Sequence, residues 1–423
     1  MKILSLKPYF QPEQFSSRHL GEAILRRQVE AGHTVEIYVP TPTRGVSKEV
    51  RREYKKRKRE TLENGAVVVR RFALFGEGRN PLLRAIRYFL CELQFAWFGF
   101  WAKDVDVFPV GSTPPIHALV AVFLKKTRGI PYVFTINDLF PESLVSAGLT
   151  RKGSLLWKIG SVVSNISYKS ADQIVVISNQ IKRALVEKGV PEDKILVRYN
   201  WIDEKTTRPI PRDENALFDE FNLPRDKFYV TYAGNLGASQ NVELLVQCAQ
   251  KLKDDSRVRF VIFGEGTEKE KLTKSVESLQ LKNVDIFPMQ PLERVSEVYS
   301  LGNISLVACK KGVGGGAFPS KAVSIMATAT PALVSFDEDS DLVSIVKEAQ
   351  TGICVEPEDP DAAVDAIRTY LNDAERCERD GQNARRLVCE RFSQEAGLEA
   401  VVRVQEETAQ RKGAAKRNSK GKG

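Results

Sequence analysis

The chain has 423 residues, 42% of them apolar, which is too long for one ordinary core and apolar enough to fill two. Its six cysteines never form a CxxC pair and its three histidines never form HExxH, which argues against a disulfide framework, a zinc module or a His-based metal centre. The net charge of +9 is local: residues 44–60 hold nine basic and three acidic side chains, residues 411–423 hold six basic and none acidic, and the remainder is slightly acidic.

The first strand is expected at Lys2–Leu6, with no leader before it, so a cytoplasmic location is expected. A loop over 8–17 and a helix ending at Glu30 follow, and Gly32 stops that helix before a strand over 34–39. Further strands are expected over 66–72, 105–110, 132–136, 173–177 and 195–198, with helices near 82–102, 116–127, 155–170 and 179–187. This is the rhythm of a parallel, doubly wound sheet. Residues 203–223, with Pro209 and Pro211 and Pro224 just beyond, read as a linker. The rhythm then restarts with strands over 229–233, 258–263, 284–287, 304–308, 332–335 and 353–355. Helices over 242–251, 268–279, 362–370 and 375–391 fill the gaps. Two such halves are expected to place a ligand cleft at their strand C-termini.

The basic stretches suit anionic lipid or nucleic acid. Neither is interleaved with aromatics, which leaves nucleic-acid stacking without support. A solvated helix or hairpin is the plain reading of 44–60, and a disordered solubilising tail that of 411–423. The aromatics instead crowd into 88–101, where Phe95, Trp97, Phe98, Phe100 and Trp101 follow Tyr88 and Phe89. That run is short for a membrane span. It fits either a helix lying in a membrane interface or one buried against the sheet.

The most telling segment is 312–321, GVGGGAFPSK, between an apolar strand and a helix start. Its glycines let amides approach a ligand, and the helix N-terminus adds donors and positive potential. Lys321 opposes that dipole unless an anion sits there, so a phosphate-bearing ligand is expected. The alternative is a flexible surface loop. Two more glycine-bearing turns follow strands: Tyr232-Ala233-Gly234-Asn235-Leu236-Gly237, with Gln240 beyond it, and Phe263-Gly264-Glu265-Gly266. Neither a GxGxxG at the first strand nor a GxxxxGK[ST] occurs, against a dinucleotide enzyme and a P-loop NTPase. In the first half, Glu13, Ser16 and Arg18 lie in the loop after strand one, and Asp138 and Glu142 lie after a later strand. Those two carboxylates could position a hydroxyl or take its proton; otherwise Asp138 caps a turn and Glu142 is solvated. The acidic cluster Asp337-Glu338-Asp339-Ser340-Asp341 is expected to cap a helix rather than hold a metal.

Taken in order, GHTVEIYVP (32–40), NDLFPES (137–143), YAGNLG (232–237), FGEG (263–266) and PSKAVSIMA (319–327) resemble family 4 of the retaining glycosyltransferases over nearly the whole chain. The resemblance extends to the capsule, O-antigen and colanic-acid branch, which includes fucosamine-type transferases. It implies an α/β GT-B fold, with two doubly wound Rossmann-like domains facing a central cleft. The acceptor domain would span 1–205, with 393–410 packing back on it. The nucleotide-sugar domain would span 206–392, and 411–423 would be a basic disordered tail.

The resemblance also implies retention and no metal or other cofactor. Gly234, Asn235 and Gln240 fall where the family binds diphosphate, though many members carry Arg and Lys at the last two positions. Gly264, Glu265, Gly315, Gly316, Ser320 and Ser324 complete the expected donor site. Gly316 and Ser324 stand where the family has a glutamate pair. Asp138 and Lys321 are the expected catalytic residues, and Glu13, Ser16, Arg18 and Glu142 the expected acceptor contacts.

The expected function is transfer from a UDP- or GDP-sugar to a lipid-linked saccharide at an anionic membrane surface, on the cytoplasmic side. A nucleotide-sugar epimerase and a non-catalytic binding protein are the alternatives.

Overall fold

A computed structural model of the chain describes the backbone of residues 1–13, 18–76, 80–146, 149–313 and 318–420, and the side chains of these except 18–19, 81–82, 146 and 412–420. The chain divides into two compact units. Unit 1 comprises 1–198 and 398–423, and unit 2 comprises 199–397.

Unit 1 runs β1 (Lys2–Leu6), α1 (Arg18–Glu30), β2 (Thr34–Pro40), α2 (Lys48–Lys56), β3 (Arg59–Leu62), β4 (Val67–Phe72), α3 (Pro81–Trp101), β5 (Phe108–Gly111), α4 (His117–Arg128), β6 (Tyr132–Ile136), α5 (Glu142–Ser146), α6 (Leu155–Ser170), β7 (Gln173–Val176), α7 (Asn179–Glu187) and β8 (Ile195–Val197). Two four-stranded sheets, β1-β2-β4-β3 and β5-β6-β7-β8, meet at a parallel bridge between Ile3 and Val107. The amide of Leu4 donates to the Val107 carbonyl and that of Asp106 to the Lys2 carbonyl. All pairings are parallel except β3 with β4.

One face of this sheet is covered by α3, α4, α6 and α7, through Cys91, Phe95, Ala121, Tyr168 and Leu185. The other is covered by α1 through Leu25 and by the chain's last helix through Val404. Gln28 donates to Gln405 at 2.8 Å, and His33 bonds Glu406 at 2.8 Å.

Local signals set the boundaries. Ser154 and Ser178 accept from the third residue onward and cap α6 and α7. Gly129, at φ +62, ends α4 in the left-handed conformation. The basic stretch 44–60 forms α2, which buries no residue, and the start of β3. β3 is held to β4 by antiparallel pairing and by the Arg71–Glu60 ion pair at 2.6 Å.

Unit 2 runs α8 (Leu217–Glu220), β9 (Phe228–Asn235), α9 (Glu243–Lys251), β10 (Val258–Glu265), α10 (Lys269–Ser278), β11 (Val284–Phe287), α11 (Val295–Ser300), β12 (Ile304–Ala308), α12 (Ser320–Ala327), β13 (Ala332–Ser335), α13 (Asp341–Ala349), β14 (Gly352–Val355), α14 (Pro360–Asn372) and α15 (Ala374–Leu387). Its six strands are all parallel, in the order β11-β10-β9-β12-β13-β14. The central β12, ISLVA, is buried along its length, as a strand covered on both faces must be. α9, α10 and α14 lie on one face, and α12, α13 and α15 on the other.

The segment read as a linker packs onto unit 2. Arg385 donates to the carbonyls of Glu204 and Thr207, and Leu217 and Phe218 are buried. The last helix, α16 (Gln394–Lys420), corrects the expected disordered tail from Arg411. Arg, Lys and Ala are good helix formers, and extending an anchored helix avoids the nucleation cost. No described helix is long and apolar enough to cross a membrane.

Candidate active site

In unit 2 the strand order reverses between β9 and β12, so the loops after them open a crevice at the C-terminal edge of the sheet. The backbone there is knitted tightly. The Leu236 amide donates to the Glu265 carbonyl at 2.8 Å, the Glu268 amide to the Leu236 carbonyl at 2.9 Å, and the Lys310 amide to the Ser239 carbonyl at 3.0 Å. Two glycines are required by close approach. A Cβ on Gly264 would stand 2.4 Å from the Gly234 carbonyl oxygen, and one on Gly266 would stand 2.5 Å from that of Leu236. Gly234 itself has φ +138 and leaves room for Lys321, whose Nζ lies 3.5 Å from where its Cβ would be.

Lys321 reaches this loop from the first turn of α12. Its ammonium donates to the Tyr232 hydroxyl at 2.8 Å and to Gln240 Oε1 at 2.9 Å, and stands 4.2 Å from the Tyr232 ring centroid. Among the described residues no carboxylate balances it. Burial pushes its pKa down from 10.5 to about 8. A partly buried cation held only by neutral oxygens, beside a helix N-terminus with no side-chain cap, is a prepared anion site. A cavity of about 250 Å³ adjoins it, lined by Ser239, Gln240, Cys309, Pro319, Lys321 and Phe336. A second, of about 170 Å³, runs from Gly234 past Phe263 to Pro291 and Tyr299.

The structure thus brings together Gly234, Gln240, Gly264 and Lys321, with Ser320 exposed at the start of α12. Asn235 is exposed at the loop edge and folds over Gly237. Glu265 is exposed and ion-paired with Lys269 at 2.6 Å. Ser324 lies one turn beyond Ser320 and donates to its carbonyl at 3.4 Å. Gly315 and Gly316 lie outside the described residues. Of the acidic cluster, Asp337 accepts from the Gly312 amide at 3.0 Å and Ser340 caps α13. Tyr232 was not foreseen as a site residue. The available signal was its place two residues before Gly234, on the strand leading into the glycine turn.

In unit 1 the order reverses between β1 and β5, joined by the Ile3–Val107 bridge. A cavity of about 680 Å³ opens there, lined by Lys7, Tyr9, Phe10, Arg44, Tyr88 and Asn137 among others. Tyr9 and Tyr88 share a hydroxyl contact at 2.7 Å, and the Arg44 guanidinium lies over the Tyr9 ring. Burial lowers the Lys7 pKa to about 8, with Glu22 pulling it partly back.

Glu13 is a correction. It is fully buried, and its carboxylate accepts from the amides of Thr43, Arg44 and Phe10, so it shapes the loop and is withheld from a ligand. Glu142 is ion-paired with Lys188 at 2.6 Å. Asp138 is exposed after β6, next to Asn137. Ser16 lies outside the described residues, as does the side chain of Arg18.

Two family models match the chain in succession: Glycosyltransferase Family 4 over residues 22–206, and Glycosyl transferases group 1 over residues 213–387. Both halves of the chain are thus matched by glycosyltransferase models, and the chain is a glycosyltransferase. This transferase is 26% identical over 320 residues to WcaI of Escherichia coli K12, named for colanic acid biosynthesis, covering 73% of this chain and 77% of that one. It is 28% identical over 261 residues to the glycosyltransferase WbjE of Pseudomonas aeruginosa, covering 61% and 64%. Among solved structures, Anabaena Alr3699/HepE in complex with UDP matches with a TM-score of 0.68 at 14% identity, covering 96% of this chain and all of that one. Sucrose-phosphate synthase from Thermosynechococcus elongatus matches with a TM-score of 0.66 at 17% identity, covering 96% and 98%. The transferase therefore has the GT-B fold, built from two Rossmann-like domains.

Proposed function

We propose that the transferase moves a sugar from a UDP- or GDP-sugar to a lipid-linked saccharide, with retention and without a metal, during surface polysaccharide assembly on the cytoplasmic side of a membrane. The observation that carries this reading is the Lys321 ammonium, held beside Gly234 and the start of α12 by partners that, among the described residues, are neutral. Breaking the bond between sugar and diphosphate builds negative charge on the leaving group. A fixed ammonium and open helix amides stabilise that charge more than they stabilise the donor. The leaving diphosphate can itself take the acceptor's proton, which leaves Asp138 to orient the acceptor. Arg44, Lys7 and the Tyr9–Tyr88 pair around the unit 1 cavity suit an acceptor with sugar rings and a phosphorylated end.

Neutral side chains at Gln240 and Ser324 also suit a non-catalytic nucleotide-sugar binder. A thermal-shift panel of UDP, GDP, ADP and dTDP, run on wild type and Lys321→Ala, tests the donor site. Saturable stabilisation by one nucleotide, of about 2.7 kcal/mol at a hundredfold excess over Kd, is expected and should vanish in the variant. No stabilisation by any of them overturns the proposal. Product formation from a labelled UDP- or GDP-sugar, fucosamine-type sugars included, and a prenyl-diphosphate saccharide then separates transfer from binding alone.

A further inference from the structure

α3, α4 and α6 lie side by side on one face of the unit 1 sheet, with α4 in the middle. Their outward side is apolar. α3 exposes Leu83, Ile86, Leu90, Leu93, Trp97 and Trp101, at the three- and four-residue steps of a single helical stripe. Trp97 and Trp101 are 63% and 59% exposed. α6 exposes a second stripe, Leu155, Ile159, Val162 and Ile166, and Phe123 of α4 lies exposed on the helix between them. The inward residues are separately satisfied. Phe95 and Tyr168 fill the core, and Gly99 and Gly160 let α3 approach Leu124 and α6 approach Phe140. Two apolar stripes flanking one helix, with Phe123 exposed between them, exceed what a soluble surface ordinarily scatters.

Charge identifies the occupant. The three helices carry seven basic residues, of which Arg87 is buried and Lys125 pairs with Asp172 at 2.8 Å, and one acidic residue, Glu92, which is buried against His117 at 2.7 Å; Arg84, Lys126, Arg128, Lys158 and Lys169 are exposed. Exposed Arg151 and Lys152 lie just before α6. An apolar face with tryptophans, bordered by cations and free of exposed carboxylates on its helices, matches the boundary between acyl chains and anionic headgroups. α3 is long but interrupted by charge, so it would lie along the surface.

We propose that α3 and α6 together form a bilayer-docking face that inserts its apolar stripes into an anionic leaflet, with α2 and its basic neighbours adding only long-range attraction. The inference rests on the membrane-side reading above and gives it a surface.

The test uses flotation of the full chain with phosphatidylglycerol–phosphatidylcholine vesicles at low and high salt, with brominated-lipid quenching of tryptophan fluorescence. Wild type is expected to float, to be quenched and to remain partly bound at high salt. The double variant Ile159→Gln/Val162→Gln, at sites already exposed and so tolerant of polar side chains, is expected to lose about tenfold in bound fraction, as is Trp97→Ser/Trp101→Ser. Replacing the basic residues of α2 by Gln should weaken only the low-salt binding. Equal flotation of wild type and both double variants overturns the proposal. So does a wild type that ignores vesicles but sediments as a dimer, which either double variant converts to monomer, since the face would then bind a second copy. Nucleotide thermal shifts measured in parallel should be unchanged in every variant. Their absence in wild type would instead indict the donor site.

Discussion

The Lys321 ammonium donates to the Tyr232 hydroxyl at 2.8 Å, and that hydroxyl donates onward to the Asn235 carbonyl at 2.7 Å. Burial raises the Tyr232 pKa well above the ordinary phenol value, so the hydroxyl stays neutral and the relay carries no compensating charge. The loop that meets the ligand and the cation that would balance it are thus fixed by one side chain.

Lys321→Met is expected to abolish nucleoside diphosphate binding while leaving the fold as stable or making it more stable. The native protein bears the cost of a partly desolvated charge, roughly 1–3 kcal/mol, that methionine would not. Thermal unfolding with and without nucleotide checks this. A variant that both keeps nucleotide binding and melts far lower would contradict the role assigned to the ammonium.

The same group sets a pH dependence. Its folded pKa of about 8 lies below the ordinary 10.5, so between those values the unfolded chain binds the extra proton. Wild type should therefore gain stability relative to Lys321→Met as pH rises from about 8 toward 10.5, and its handicap should be complete below 8. Nucleotide affinity should run the other way, falling above pH 8 as the ammonium deprotonates. Lys7 titrates in the same range, so the subtraction of the Met variant isolates Lys321. Calorimetry in buffers of different ionisation enthalpy should show proton uptake on binding near pH 8.

Gly264→Ala should cost at least about 2 kcal/mol, because its Cβ would meet the Gly234 carbonyl oxygen in a backbone that has no slack. Denaturant unfolding measures it. Little change in midpoint would show that the turns after β9 and β10 can separate.

Glu13→Ala should act on stability and not selectively on turnover. Removing an acceptor shared by one buried and two part-buried amides costs about 1–3 kcal/mol. An unchanged melting temperature with slowed transfer would restore Glu13 to the acceptor site.

Continuous apolar strands and some helices were legible from sequence. β11, β12 and β13 fall on their expected residues, as do α6 and α7, whose serine caps the structure adds. β3 was not, because RETL is a charged edge strand whose only instruction is pairing with β4. Lys321 could be found because a lysine in the first turn of a helix contradicts the dipole. Glu13 could not be separated from a ligand contact, since a buried carboxylate serving amides and an exposed one serving a sugar look alike in one dimension. Tyr232 was hidden for the opposite reason: an aromatic in a buried strand reads as core, and it is core, but its hydroxyl also receives the Lys321 ammonium. The α6 stripe was legible as a helix, but its outward side depends on what α4 already covers.

Residues 398–411 complete the packing of unit 1 from the far end of the sequence, while unit 2 is one uninterrupted stretch. During synthesis, unit 2 can therefore close on itself before the ribosome has made the helix that seals Val35, Ile37 and Val69 in the earlier-made sheet. Until then that sheet has a bare greasy flank, so the nascent chain needs shelter there, and a premature stop near residue 397 would leave a folded second half tethered to an aggregation-prone first half.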